Sequence, residues 1–245
     1  MTSRAPQLWL VALILGALTL WPTNARAGMT PEEIKQFKDD RVLAGKGDAI
    51  AQYNLGRHYA EAEGVAADPI QAAAWWRKAA EQGHAIAQYD LAHCYSVGEG
   101  VRKDFAQAVA WWRKAAEKGH ANAQSILGHC YAKGEGVLKD FAQAVSWYRK
   151  AAEQGDNSAQ YHLGYCYFYG EGVAKDVTEA YAYYNLAGMT NETASEAFAR
   201  LDEKVSPEDR LLGQERTKQL QKEIESKIAA KNAEVEKKAS KKAGK

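Results

Sequence analysis

Three cysteines stand at matched positions in this chain, Cys94, Cys130 and Cys166, with His58 in the same register one interval earlier. His93 and His129 directly precede two of them, so each pair sets an imidazole beside a soft thiol, the donor types that bind zinc or copper. Adjacent residues of a helix point about 100° apart, so such a pair seldom closes on one ion; no metal and no cofactor are expected. The thiols can also do redox chemistry or form bridges. An odd count leaves at least one thiol without an intramolecular partner. Equivalent helices in a stack lie on the order of 8–10 Å apart, beyond the roughly 7 Å Cα separation that a disulfide spans, so three unpaired thiols are expected.

Signatures of catalysis are missing. No S-x-x-K, G-x-S-x-G, H-E-x-x-H or phosphate-binding glycine loop occurs in the sequence. The expectation is that the chain is not an enzyme. His162, Tyr165 and Tyr169 can stack on a sugar, but no carboxylate pair is placed to cleave one.

The elements that carry these residues are repeats. Gly47, Gly83, Gly119 and Gly155 open four blocks that recur every 36 residues, at 47–82, 83–118, 119–154 and 155–190. A period of 20–50 residues marks a solenoid in which each unit is one supersecondary element. Each block reads G-x-x-x-A-Q-x-x-L-G-x-x-Y, then G-E-G-V-x-K-D, then x-x-x-A-x-x-W-x-R-K-A-A-E, which predicts two helices per block. In the second block Ala87, Gln88, Leu91, Ala92 and Tyr95 lie at helical spacing, and Gly98 and Gly100 break the helix. Asp68, Asp104, Asp140 and Asp176 precede the second helices, with Gln71, Gln107, Gln143 and Glu179 three residues on, a capping-box arrangement in every copy. His84 and His120 read as helix-start residues. Block one carries Ala62 where the others carry Gly98, Gly134 and Gly170, so its turn is the least regular. Trp76, Trp112, Tyr148 and Tyr184 share one register, as do Trp75, Trp111, Trp147 and Tyr183, and large aromatics recurring this way read as packing between neighbours.

These motifs resemble the Sel-one-like repeat family, a branch of the tetratricopeptide superfamily, across about 144 of the 245 residues. The resemblance implies an all-α, right-handed superhelical solenoid of antiparallel helix pairs and an adaptor or regulatory role in protein complexes. A secreted cysteine-rich branch, to which β-lactamase activity has been attributed, bridges two cysteines within a unit. The corresponding positions here are Ala80 and Gln88, so that framework is absent.

The flanks read differently. Arg4, the apolar run from Leu8 to Leu20 and Ala25-Arg26-Ala27 predict a signal peptide over residues 1–27, cleaved after Ala27; an uncleaved anchor is the alternative. A periplasmic or secreted bacterial protein follows from that reading, with no transmembrane segment after cleavage. Without Arg4 and Arg26 the chain holds 30 basic and 31 acidic residues, and a near-neutral chain has no electrostatic reason to seek nucleic acid. Thr30-Pro31-Glu32-Glu33 opens a capping helix over 28–46 that covers one end of the array. Two further capping helices are expected over 191–230, with Ala197, Phe198 and Leu201 on one face of the first. Leu212, Leu220, Ile224 and Ile228 lie on one face of the second. Residues 231–245 are mostly Lys, Glu and Ala, a solvated or fraying basic tail for which weak contact with an anionic surface stays open.

The first-helix positions that differ between copies share one face, opposite the fixed Ala, Leu and Tyr. They are Ile50, Asn54, Arg57 and Glu61; Ile86, Asp90, His93 and Val97; Asn122, Ile126, His129 and Lys133; Ser158, His162, Tyr165 and Tyr169. That face is expected to line a concave groove, where Asn54, Arg57, Asp90, His93, Ile126, His129, Lys133, His162, Tyr165 and Tyr169 hold a peptide or protein partner. Drift on a solvated face stays open as the alternative for these positions. The leading function is a non-enzymatic interaction scaffold in the bacterial envelope. A cell-wall or glycan-directed accessory protein or enzyme, and a thiol or imidazole metal or redox protein, remain open beside it.

Overall fold

A computed structural model of the chain describes residues 29–189 and 192–243. The leader expected over 1–27 lies outside the described residues. These divide into two compact units, one ending at Gln82 and one beginning at Gly83. Among the described residues all regular structure is helical, in eleven helices, as the period requires.

The first unit holds α1 (Pro31–Gly45), α2 (Ala49–Glu61) and α3 (Pro69–Glu81). Thr30 and Glu33 form a reciprocal capping box at the start of α1, so two otherwise orphaned N–H groups are satisfied. Phe37 and Ala44 of α1 are buried with Ala51, Leu55 and Val65, which closes this end of the helix pair. Asp40 of α1 is also buried, and the Asn54 amide at 3.4 Å and the Gln36 amide at 3.1 Å both donate to it. The His58 ring faces acceptors on both sides, the Asp40 carboxylate at 3.1 Å from Nε2 and the Glu63 carbonyl at 3.0 Å from Nδ1. A buried hydrogen bond between His58 and Asp40 therefore takes the place that a thiol and a large aromatic fill in the later blocks. Ala62 ends α2 with φ of 60°, the left-handed conformation that Gly98, Gly134 and Gly170 adopt in the other copies. The irregular block keeps the common turn and bears the strain of a Cβ there.

The second unit continues with α4 (Ala85–Val97), α5 (Phe105–Glu117), α6 (Ala121–Lys133), α7 (Phe141–Ala152), α8 (Asn157–Tyr169) and α9 (Val177–Gly188). Each second helix starts on its aspartate, whose side chain accepts the N–H of the residue three positions on, at 3.0 Å in α5, α7 and α9. The aspartate's own N–H donates to the carbonyl of Tyr95, Tyr131 or Tyr167, nine residues earlier. That bond takes the donor a reciprocal capping box would use, and it leaves the Glu179 carboxylate to accept from Arg216 at 2.7 Å. His84 and His120 cap the first helices: each Nδ1 accepts a backbone N–H, at 3.2 and 3.3 Å. Trp112, Tyr148 and Tyr184 are buried between helices, as their register predicts. Gly164 is required by this packing, since a Cβ there would sit 2.8 Å from the Tyr184 ring. Gly172, with φ of 72°, lets the turn after α8 press against the backbone of Phe141 at the start of α7.

Two helices close this unit, α10 (Glu192–Asp202) and α11 (Pro207–Ala243). Ala197, Phe198 and Leu201 pack on Tyr181 and Tyr184, as their shared face predicts. In α11 the packed stripe is Gly213, Thr217, Leu220, Ile224 and Ile228. Leu212, expected on that face, is exposed, and Gly213 replaces it because Tyr181 approaches too closely for a side chain. Where composition predicts a fraying tail, α11 continues to Ala243, with residues 229–240 exposed. Ala, Lys and Glu are strong helix formers, and the Glu234 and Lys238 pair adds a local contact at 2.6 Å.

Candidate functional site

The variable face does not behave alike in all copies. In the first unit Asn54 is spent on Asp40, and Arg57 is clamped by Glu61 at 2.6 Å, which holds its guanidinium well above the ordinary range. In the second unit Asp90 is half-buried and His93 exposed on α4, while Ile126 is half-buried and packs against the core cluster of α5 and α6. The remaining expected residues converge.

His129 and Lys133 on α6 and His162 and Tyr165 on α8 line one cavity of about 370 Å³. They meet because α6 and α8 are the first helices of consecutive repeats, so equal registers face the same side. The floor is aromatic. The His162 ring stacks on Tyr148 at 5.0 Å and lies 5.7 Å from His129 and 5.3 Å from Tyr161. Burial, with His129 and Lys133 adding to it, pushes His162 down to about 4, so it is neutral near pH 7 and offers a hydrogen bond instead of charge. Lys139, Phe141 and Glu171 complete the wall, with the Lys139 ammonium 4.5 Å above the Phe141 ring.

A second cleft, of about 290 Å³, adjoins the first and shares Tyr161 and Tyr165 with it. Tyr169, Phe168 and Tyr184 line it from α8 and α9, and Arg200, Leu201 and Lys204 from α10 and the turn after it. Tyr165 and Tyr169 touch at 4.5 Å between ring centres and stay 37% and 58% exposed. They border the C-terminal helices without being buried under them. Tyr161, Phe168, Tyr181 and Tyr184 are in the aromatic cluster that packs with Phe198 and Leu201.

The titratable groups suit binding. Cys166 lies in the first cavity, yet burial pushes its thiol up to about 12, and Cys94 and Cys130 are pushed up to about 12 and about 11 for the same reason. All three are buried and unpaired, and a thiol held protonated is a poor nucleophile and metal ligand. Among the described residues no group of three or more His, Cys, Asp or Glu side chains is arranged to hold a metal ion. No described helix is long and apolar enough to cross a membrane.

Lys139, Tyr161, Glu171, Arg200 and Lys204 are lining residues that the variable-face reading leaves out. Lys139 and Glu171 sit in the fixed G-E-G-V-x-K-D turn and read as punctuation, and Arg200 and Lys204 fall where the repeat has ended.

Known proteins give the following likenesses. The Sel1 repeat pattern matches residues 49–84, 85–120, 121–156 and 157–189. No curated protein matches the chain. Among solved structures, a Sel1 repeat protein from Oxalobacter formigenes is 36% identical over 69% of this chain and 72% of its own, with a TM-score of 0.62. A protective antigen present in uropathogenic Escherichia coli strains, displaying an SLR fold, is 32% identical over 78% of this chain and 49% of its own, with a TM-score of 0.53. This chain therefore spans about half the length of that antigen.

Proposed function

Because the chain belongs to the Sel1 repeat family, whose helical arrays generally serve as scaffolds for protein partners, we propose that it is a non-catalytic adaptor holding an extended segment of a partner protein across α6, α8 and α10. One observation carries this reading: two adjoining clefts share Tyr161 and Tyr165 and leave exposed tyrosines beside lysines and a neutral imidazole. Tyrosine gives large contact area at low side-chain entropy cost, which is what an interface anchor needs. The site of action in this proposal is the bacterial envelope, reached through the leader read at residues 1–27. N-terminal sequencing of the protein from fractionated cells tests that part: a periplasmic protein beginning at Gly28 supports it, and a cytoplasmic protein retaining Met1 refutes it.

Binding is tested by comparing proteins captured from envelope extract by the parent and by Tyr165→Ala/Tyr169→Ala. Loss of a captured partner with an unchanged melting temperature supports the groove. Equal capture by both proteins defeats it, and a lowered melting temperature with intact affinity assigns these tyrosines to the C-terminal cap.

A further inference from the structure

The charges around the two clefts are unequal, although the chain as a whole is nearly neutral. Lys133 and Lys139 stand on the first cavity, and Arg200 and Lys204 on the second. Glu171 is the one carboxylate lining either. Glu196 engages Arg200 at 3.4 Å, but both side chains are well exposed, and such a pair holds its members weakly. Two cationic groups therefore line each cleft beside the shared tyrosines, and the His162 ring of the first cavity is neutral near pH 7.

We infer that the segment bound here is acidic, with carboxylates on both sides of an apolar or aromatic side chain that packs on Tyr161 and Tyr165. This rests on the binding reading above and adds the chemistry of the partner. Ammonium and guanidinium groups at a cleft rim attract and orient carboxylates, while the aromatic wall buries the side chain between them. His162, neutral and beside the wall, can donate a hydrogen bond to a backbone carbonyl of the segment without adding to the charge. Lysines also recur on outward faces away from the clefts, at Lys78, Lys114 and Lys150, but the tally of 32 Lys and Arg against 31 Asp and Glu gives no general attraction to polyanions. Two small adjoining clefts with a shared tyrosine wall fit a peptide segment better than nucleic acid or a lipid surface.

A randomised nonapeptide display library selected on the full chain tests this. Selection is run in parallel on the parent, on Lys133→Gln/Lys204→Gln and on Tyr165→Ala/Tyr169→Ala, each first matched for melting temperature. The expected result is enrichment of Asp and Glu around an apolar or aromatic residue on the parent. Affinity of the selected peptides should fall roughly two- to fivefold for each lysine removed, and the loss should shrink in high salt. Tyrosine removal should abolish the selection. Tyrosine-dependent binders without acidic enrichment, or acidic enrichment unaffected by the lysine changes, overturn the inference and leave the groove reading standing. No tyrosine-dependent binders at all overturns both. Tighter lysine-dependent binding of single-stranded DNA or phosphatidylglycerol vesicles than of the selected peptides also overturns it.

Discussion

Replacing Leu186 by Lys restores the residue that the repeat carries at that register, and it should release α11. Lys78, Lys114 and Lys150 occupy the equivalent positions, each ammonium lying 3.6, 3.7 and 3.9 Å over Trp75, Trp111 and Trp147 on an outward surface. In the fourth block Leu186 and Tyr183 are 8% and 5% exposed, packed with Leu220 and Ile224 of α11. The neighbouring Asn185 amide donates to Thr217 at 3.4 Å, where earlier blocks carry Arg. Burying a leucine side chain contributes about 1.5–3 kcal/mol. A lysine in its place must thread its ammonium out past α11 or push the helix away. The expected loss is about 2–4 kcal/mol in urea unfolding, or roughly 5–15 °C in melting temperature for a chain of this size. Amide hydrogen exchange should show residues 207–230 losing protection before α6 to α8, since a solenoid's elements depend mainly on their neighbours. Lys150→Leu, changing an exposed position, should stay within about 0.5 kcal/mol. A Leu186→Lys loss below about 1 kcal/mol with protection of α11 unchanged would refute the view that this position anchors the helix.

His58→Ala should cost about 1–3 kcal/mol in urea unfolding, because it removes a hydrogen-bond partner of the buried Asp40 side chain; a loss under about 0.5 kcal/mol would show that His58 is not what satisfies Asp40. Ala62→Gly should stabilise by about 0.5–1 kcal/mol, since it removes a Cβ from a left-handed position, and an unchanged denaturation midpoint counts against strain there. Burial depresses His84 and His120, whose Nδ1 atoms accept helix-capping bonds that only the unprotonated ring can accept. Their contribution to stability is therefore fully present above the ordinary histidine range near 6.5 and is lost as pH falls below it, because the unfolded chain takes up the protons. His84→Asp/His120→Asp, which copies Asp48 and Asp156, should flatten that part of the acid limb, and an unaltered pH profile would refute the capping account. Native protein should resist thiol alkylation, and denatured, unreduced protein should add three labels; fewer labels would reveal a bridge.

Much of the architecture was legible because it depends on contacts a few residues apart. The helix starts at Asp104, Asp140 and Asp176, the left-handed ends at Gly98, Gly134 and Gly170, and the buried registers of Trp112, Tyr148 and Tyr184 are all local patterns copied at one period. The change from Arg149-Lys150 to Asn185-Leu186 was also present in the sequence, as a signal that the fourth block is covered by a further helix. It is informative only once the outward face of the other blocks is known.

The amino-acid sequence by itself determined that this is an array of helix pairs, where each begins and ends, and which side of each first helix varies. Period, capping side chains and glycine conformations act within one turn or one repeat, so they need no knowledge of distant residues. Tertiary structure alone decided which variable residues line a common cleft. Asn54 and Arg57 are drawn into bonds with Asp40 and Glu61, and Ile126 is half-buried against the core. His129, Lys133, His162 and Tyr165 enclose one space, and Tyr165 and Tyr169 meet Arg200 and Lys204 across another. A cleft is a property of several helices at once, and the residues that enclose it are set by packing over long chain separations, which a one-dimensional period does not encode.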